Sequence, residues 1–278
     1  MIAGAGGQLG TDMKRECVRN GDEVIALDRS RLDVTDRDAV LAMAAHAHPD
    51  VIINCAAWTA VDDCESDPDR AHQINGDAVR FLAEAATETG AHLVQVSTDY
   101  VFDGDKIGPY DVEDPPNPQS VYGASKLAGE LAALAVDAAV VRTAWVFSAH
   151  GGNMAATVLR LAASHDTLRF VADQKGSPTY TVDLAAALRQ VAQDRVSGLL
   201  HITNSGQATW HEFAQQVFEA AGLDPERVEP IATADLQPAR PAPRPANSVL
   251  ANTRYHDLGY RELPRFEDAV RLVVPAYL

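Results

Sequence analysis

Tyr122 and Lys126 stand one helical turn apart in Tyr122-Gly123-Ala124-Ser125-Lys126, and Thr98 closes an apolar strand pattern upstream. Together they are a set of parts for reducing a carbonyl. A phenol donates a proton, an ammonium beside it makes the phenol more acidic, and a hydroxyl holds the carbonyl oxygen as charge develops there. A free tyrosine titrates near pH ~10, so proton donation at neutral pH calls for such tuning. A Tyr–Lys pair at this spacing is also an ordinary surface pair, and Thr98 also fits a plain strand-end cap. The chemical reading therefore rests on the surrounding residues.

The first of these is the opening run Gly4-Ala5-Gly6-Gly7-Gln8-Leu9-Gly10. Gly4 permits a tight strand-to-helix turn, Gly7 lets backbone approach a pyrophosphate, and Gly10 lets the helix lie close to the sheet. A pyrophosphate there meets free N–H groups and the positive end of the helix dipole. Asp28 ends the next strand pattern, where a carboxylate binds the adenosine ribose diol and favours NAD. Arg29 follows it and suits a 2′-phosphate, which favours NADP. Preference between NADH and NADPH stays open. Asp33-Val34 fits an adenine-side contact and fits helix capping equally well.

Elements that must position these residues alternate along the first half. Apolar runs at 23–27, 51–53, 92–96 and 138–141 end at Asp28, Asn54, Ser97-Thr98 and Arg142-Thr143. Helical stretches lie near 8–20, 36–47, 68–89 and 119–136. This order predicts an α/β fold: a doubly wound, Rossmann-type parallel sheet covered on both faces, with right-handed crossovers. A smaller C-terminal α/β substrate lobe follows. The expected division is a dinucleotide-binding domain over 1–146, with a segment near 176–200 returning to it, and a mainly substrate-binding lobe over 147–278. Helices are expected over 153–164, 181–194 and 209–221, the last opened by a Thr209-x-x-Glu212 capping box, with a short strand at 199–202. The stretch 237–245 is Pro-rich and predicts a stiff connector. Only Met1-Ile2-Ala3 precede Gly4, so either the first strand is unusually short or the natural chain begins earlier.

Composition narrows the function classes. The formal charge is −16 with only four lysines, which argues against a nucleic-acid partner. No apolar run reaches membrane-spanning length, and no leader pattern is visible, so a cytoplasmic location is expected. Cys17, Cys55 and Cys64 form no ligand cluster and read as free thiols. The nine histidines, His46, His48 and His72 among them, read as solvated helix surface.

With these motifs in place, the chain resembles the dTDP-4-dehydrorhamnose reductase family of the extended short-chain dehydrogenase/reductase superfamily. The resemblance covers nearly the whole chain. It is carried by the glycine run, 32–36, Asn54-Cys55-Ala56-Ala57-Trp58-Thr59-Ala60-Val61-Asp62, 97–104, 122–126, Arg142-Thr143-Ala144-Trp145-Val146-Phe147, 176–179 and Arg244-Pro245-Ala246-Asn247-Ser248. Trp58 departs from the pattern, where tyrosine is common. The resemblance implies reduction of the 4-keto group of a dTDP-linked 6-deoxy sugar by NADPH or NADH, giving dTDP-L-rhamnose, with Thr98, Tyr122 and Lys126 catalytic. Mg²⁺ is associated with the family, but no ligand is assignable. It further implies that Gln8, Leu9, Ala56, Ala57 and Thr59 join the cofactor site. On the substrate side it points to Val61, Asp62, Asp99, Tyr100 and Trp145. Asn153 is a candidate that also fits an N-cap. Arg244 suits a diphosphate through bidentate pairing, or a rim salt bridge. Asn247 and Ser248 add neutral hydrogen bonds, and Lys175 is a lesser anion candidate. The expected state is a monomer or homodimer.

Two other readings compete. A sugar-nucleotide epimerase or dehydratase of the same superfamily would use Asp99 beside Thr98 as an additional acid. A non-catalytic dinucleotide-binding regulatory subunit would not need the intact Thr98, Tyr122 and Lys126.

Overall fold

The computed structural model describes residues 1–278. Its centre is a six-stranded sheet formed by β1 (Ile2–Ala3), β2 (Ala26–Leu27), β3 (Val51–Asn54), β4 (His92–Thr98), β5 (Ala139–Thr143) and β10 (Gly198–His201). The order is β10-β5-β4-β3-β1-β2, and every pairing is parallel. The strands are near-continuous apolar runs, as expected where helices cover both faces. On one face lie α1 (Gln8–Arg19) and α8 (Thr181–Gln193). On the other lie α2 (Arg37–Ala47), α5 (Ala78–Thr89) and α6 (Val121–Leu134). Leu9, Met13, Leu184, Leu188 and Leu200 centre the first core layer; Val40, Leu82, Leu93 and Val140 centre the second.

The first strand is short. Only Ile2 and Ala3 are paired, between β2 and β3. The Met1 ammonium takes the place of a further ladder donor and bonds the Val51 carbonyl at 2.8 Å. Burial lowers the pKa of that amine. The second strand is also shorter than its apolar run: Ala26–Leu27 pair with Ile2–Ala3, and before them Ile25 contributes its carbonyl, which accepts from the Ile2 N–H at 2.9 Å.

The stretch expected as helical over 68–89 is helical throughout, with a π-helical turn inside it. After the short α3 (Val61–Ser66) come α4 (Pro68–His72), a π-helical turn at Gln73–Asp77, and then α5. The π turn inserts a residue without ending the helix, so apolar periodicity carries little trace of it.

The C-terminal part has its own core around Phe147, Phe213, Phe218, Val228, Phe266 and Val270. It is built from β6 (Val146–Phe147), α7 (Met154–Ala162), β7 (Leu168–Val171), β8 (Lys175–Gly176), β9 (Thr179–Tyr180), β11 (Ala208–Thr209), α9 (Trp210–Ala220) and β12 (Val228–Ile231). Two helices, α10 (Thr253–Asp257) and α11 (Phe266–Val273), complete the chain. Its strands form three separate two-stranded pairings, too short to give an alternating pattern. The segment containing α8 and β10 packs on α1 and β5. The capping box at Thr209–Glu212 is present. No helix is long and apolar enough to cross a membrane.

Three histidines are not solvated helix surface. His92 and His201 are buried, and burial beside Arg142 lowers His201 to about 4. His150 lies 3.0 Å from the buried Asp12 carboxylate.

Candidate active site

Residues at the carboxyl edge of β4 and the first turns of α6 meet in one place. Thr98 ends β4, its Cα paired with Thr143 of β5. Its hydroxyl donates to Asp99 at 3.0 Å and accepts from the Tyr100 N–H at 3.2 Å. Ser120 caps α6 by accepting from the Gly123 N–H at 3.1 Å, and the Glu65 carboxylate takes the free Val121 N–H at 2.8 Å. Gly123 matters for closeness: a Cβ there would sit 2.2 Å from the Tyr100 carbonyl oxygen. The absence of a side chain lets the Asp99–Val101 turn press against the helix that carries Tyr122. The Tyr100 and Tyr122 rings then meet edge to face, centroids 5.5 Å apart.

Burial governs the electrostatics here. It raises the Tyr122 phenol well above its ordinary value, the nearby Thr98 hydroxyl pulls it back in part, and Asp99 adds to the rise. Tyr100 is pushed up to about 12 by burial and Asp99. Lys126 is lowered to about 8, because burial disfavours its charge more than Glu130 favours it. The Lys126 ammonium donates to the Val96 carbonyl at 2.6 Å. The expected acidification of Tyr122 by Lys126 is therefore not what this arrangement gives: the ammonium is held on backbone, and burial of the phenol dominates.

Behind Lys126 sits a buried ion pair that the sequence reading missed. Glu130, one further turn along α6, takes two bonds from Arg142 at 2.9 and 2.7 Å and one from Ser97 at 2.5 Å. Its i+4 spacing from Lys126 was the available signal. Asp99 is the other perturbed acid. Burial raises it to about 6, against the pull of the Ser248 and Thr98 hydroxyls.

Beside this cluster runs a groove of about 610 Å³. Gly4, Gly7, Asp28, Arg29, Asp33, Val34, Ala56 and Ala57 all line it. Gly4 has φ +74°, and a Cβ on it would lie 2.5 Å from the Ala56 backbone nitrogen, so only glycine makes this turn. Gly7 precedes α1 with no side-chain cap and no acid in the first turn, leaving amide donors for an anion. Asp28 accepts from the Ser30 N–H and hydroxyl and the Arg31 N–H, chiefly the hydroxyl, which lowers its pKa. Asp33 is engaged by Thr35, and Asp36 is the residue that caps α2. The glycine cradle, open amides and ribose-side carboxylate fit a nicotinamide dinucleotide.

Sequence reasoning also missed Trp58, Arg70, Gln73 and Ile74 on the groove wall. The Arg70 guanidinium lies 4.5 Å from the Trp58 ring centroid. Asn75, inside the π turn, exchanges bonds with the Trp58 backbone at 2.9 and 3.1 Å and reaches Ser125 at 3.0 Å. One buried amide thus ties the groove wall to the Tyr122 helix.

Other expected residues are placed elsewhere. Leu9 and Gly10 are buried under the turn, and Thr59 is exposed away from the groove wall. Gln8 turns to the loop after β6, accepting from Ser148 and Asn153 and donating to Gly152. Asn153 caps α7 and donates to Gln8 and Tyr277, so it serves this loop. Val61 packs with Trp58 and Tyr122. Arg244 and Asp62 bind each other at 2.5 and 2.7 Å. Asn247 donates to the Lys106 and Gly108 carbonyls. Trp145 stacks on Trp210. No group of three or more His, Cys, Asp or Glu side chains could hold a metal ion; the residues do not fit a Mg²⁺ site within this chain.

Residues 1–278 match the family described as RmlD substrate binding domain. The chain is 43% identical to a dTDP-4-dehydrorhamnose reductase of Streptomyces griseus, over 99% of this chain and 93% of that one. It is 45% identical to one of Mycolicibacterium smegmatis, over 99% and 85%. Among solved structures, a Bacillus anthracis dTDP-4-dehydrorhamnose reductase in complex with NADP superposes with a TM-score of 0.93 at 34% identity, covering 98% of this chain and 96% of that one.

Proposed function

The chain belongs to the dTDP-4-dehydrorhamnose reductase family, and we propose on that basis that it reduces the 4-keto group of dTDP-4-dehydro-6-deoxy-L-mannose to give dTDP-L-rhamnose. The observation that carries the mechanism is the juxtaposition of Thr98, Tyr122 and Lys126 beside a glycine-cradled groove.

A reduced nicotinamide supplies the hydride when bound. Amides at the start of α1 hold its pyrophosphate, Asp28 and Arg29 hold the adenosine side, and Ala56-Ala57 form a floor without bulk. Thr98 and Tyr122 direct their hydroxyls at the ketone oxygen. As negative charge develops on that oxygen, the proton passes from Tyr122 Oη and yields the alcohol. A phenol raised by burial is a poor acid toward water but remains a hydrogen-bond donor to an incipient alkoxide. Lys126, one turn from Tyr122, would hold the nicotinamide ribose through its ammonium, which here donates to the Val96 carbonyl, and the Glu130 carboxylate favours its charge. Asp62, Arg244 and Trp145 bound the sugar-nucleotide side. Cys17, Cys55 and Cys64 are free, which suits a reducing, cytoplasmic setting.

The test is a coupled assay. dTDP-4-keto-6-deoxy sugar is generated in situ, NADPH and NADH loss are followed separately, and the sugar product is identified. Stoichiometric cofactor oxidation with dTDP-L-rhamnose as product is expected. Product formed without net cofactor oxidation indicates an epimerase or dehydratase and overturns the proposal.

A further inference from the structure

Trp145 adopts a backbone that a large L-residue rarely takes, with φ +49°. Such conformations persist where surrounding structure fixes them, and they gather at functional sites. Three contacts fix this one. The Thr179 N–H donates to the Trp145 carbonyl at 3.2 Å. Gly176 leaves room for the indole: a Cβ there would lie 2.4 Å from the ring. Trp210 then covers one face of the ring, centroids 3.5 Å apart and planes within 3°.

Trp210 is itself anchored. It is the first residue of α9, directly after the Thr209 capping box, and β11 pairs with β8 so that Ala208 faces Gly176. Its ring meets Phe213 edge to face at 6.2 Å, and Phe213 is fully buried in the C-terminal core. Aromatic pairs left to themselves prefer offset or edge-to-face contact. The parallel overlap is thus imposed by two separately fixed backbones. Trp145 also belongs to the catalytic edge: it follows Thr143, the β5 partner of Thr98, and packs against the cluster of Val101, Phe102 and Tyr110. Both indoles stay partly exposed, so a rigid aromatic wall stands beside the catalytic turn.

We propose that Trp210 is a positioning residue for the sugar-nucleotide side of the cleft: by stacking on Trp145 it fixes the indole that limits which sugar nucleotides align with Thr98 and Tyr122. This rests on the reductase reading above. Trp210 acts through Trp145 and touches no reacting atom.

The experiment compares wild type, Trp210→Leu and Trp210→Phe. With NADPH saturating, Trp210→Leu is expected to raise KM for the keto-sugar nucleotide about tenfold, the worth of one aromatic pair, with KM for NADPH within about twofold. Trp210→Phe is expected to recover most of that loss. The near-ultraviolet circular dichroism band of the stacked indoles should vanish in both variants and in Trp145→Leu. An unchanged sugar-nucleotide KM in Trp210→Leu overturns the proposal. So does a rise in both KM values together with a lowered Tm and no recovery in Trp210→Phe, which marks a merely structural residue. If wild type does not turn over the keto sugar, the reductase reading fails first. Titration of dTDP-rhamnose then decides this one, tenfold weaker binding in Trp210→Leu supporting it and equal binding overturning it.

Discussion

Arg244 closes on Asp62 with two guanidinium nitrogens, at 2.5 and 2.7 Å, joining the Pro-rich segment to the first turn of α3. The Ala242 N–H adds a third bond to the same carboxylate at 3.1 Å. Asp62 was expected to meet substrate, and Arg244 either a diphosphate or a rim salt bridge; in this structure each satisfies the other, and the pair straps residues 242–244 beside Tyr100. Arg244 lowers the Asp62 pKa chiefly through this bonding. Asp62→Ala is expected to free the strap and raise KM for the sugar nucleotide about tenfold, with KM for NADPH unchanged. Arg244→Lys should not restore it, because an ammonium lacks the planar fork. Steady-state kinetics of both variants check this.

Tyr122→Phe removes the proton donor and little volume. Turnover should fall at least about a hundredfold, with the far-ultraviolet spectrum and NADPH affinity unchanged. Near-normal turnover in this variant would transfer the acid role to another group.

Lys126 titrates near 8 in the folded protein, below the 10.5 of an ordinary lysine. Between those values the unfolded chain binds more protons, so stability rises with pH through that window, and at pH 7 the buried ammonium is destabilising. Lys126→Met should therefore raise Tm at pH 7 while lowering turnover at least about a hundredfold. In wild type, kcat should decline as pH passes about 8. Thermal unfolding and pH–rate profiles test the two halves separately.

Asp99 has the opposite charge and the opposite slope. Its folded pKa of about 6 exceeds the ordinary 3.8, so the folded state holds the extra proton between them. Stability then falls as pH rises through that window and stays lower above it. Asp99→Asn should flatten that part of the stability profile and raise Tm at pH 7. A profile unchanged by the substitution would show that Asp99 ionises without penalty.

Arg29 lines the groove directly after Asp28, whose one carboxylate oxygen is already held by Ser30 and Arg31. Arg29→Ala is expected to raise KM for NADPH about tenfold and leave NADH within about twofold. Equal effects on both cofactors would place the guanidinium away from the 2′-position.

The sheet and the groove were legible because their signals are local. An apolar run ending in Asp28, or a glycine run before a helix, states its own geometry. Gly4, Asp28 and Ala56 line one groove because each sits at the carboxyl edge of a strand or in the turn after it. The pairing of Arg244 with Asp62 was not legible, since it joins residues far apart in the chain through a segment without periodic structure. Asn75 was hidden for a different reason: a π turn keeps the helix going while shifting which side chains face inward. Lys126 shows the limit of spacing alone. The turn that separates it from Tyr122 was plain, but the carbonyl of Val96 that holds its ammonium belongs to another element.

The strand order has a consequence for the chain as it leaves the ribosome. Five of the six strands lie within residues 2–143, and the sixth, Gly198–His201, adds to β5 from outside. Until it emerges, the fully buried run Ala139–Thr143, its one charge (Arg142) already paired with Glu130, presents an open margin able to pair with another nascent chain. Translation stalled between these segments would yield a species prone to clumping, and supplying residues 181–201 as a separate peptide should suppress it.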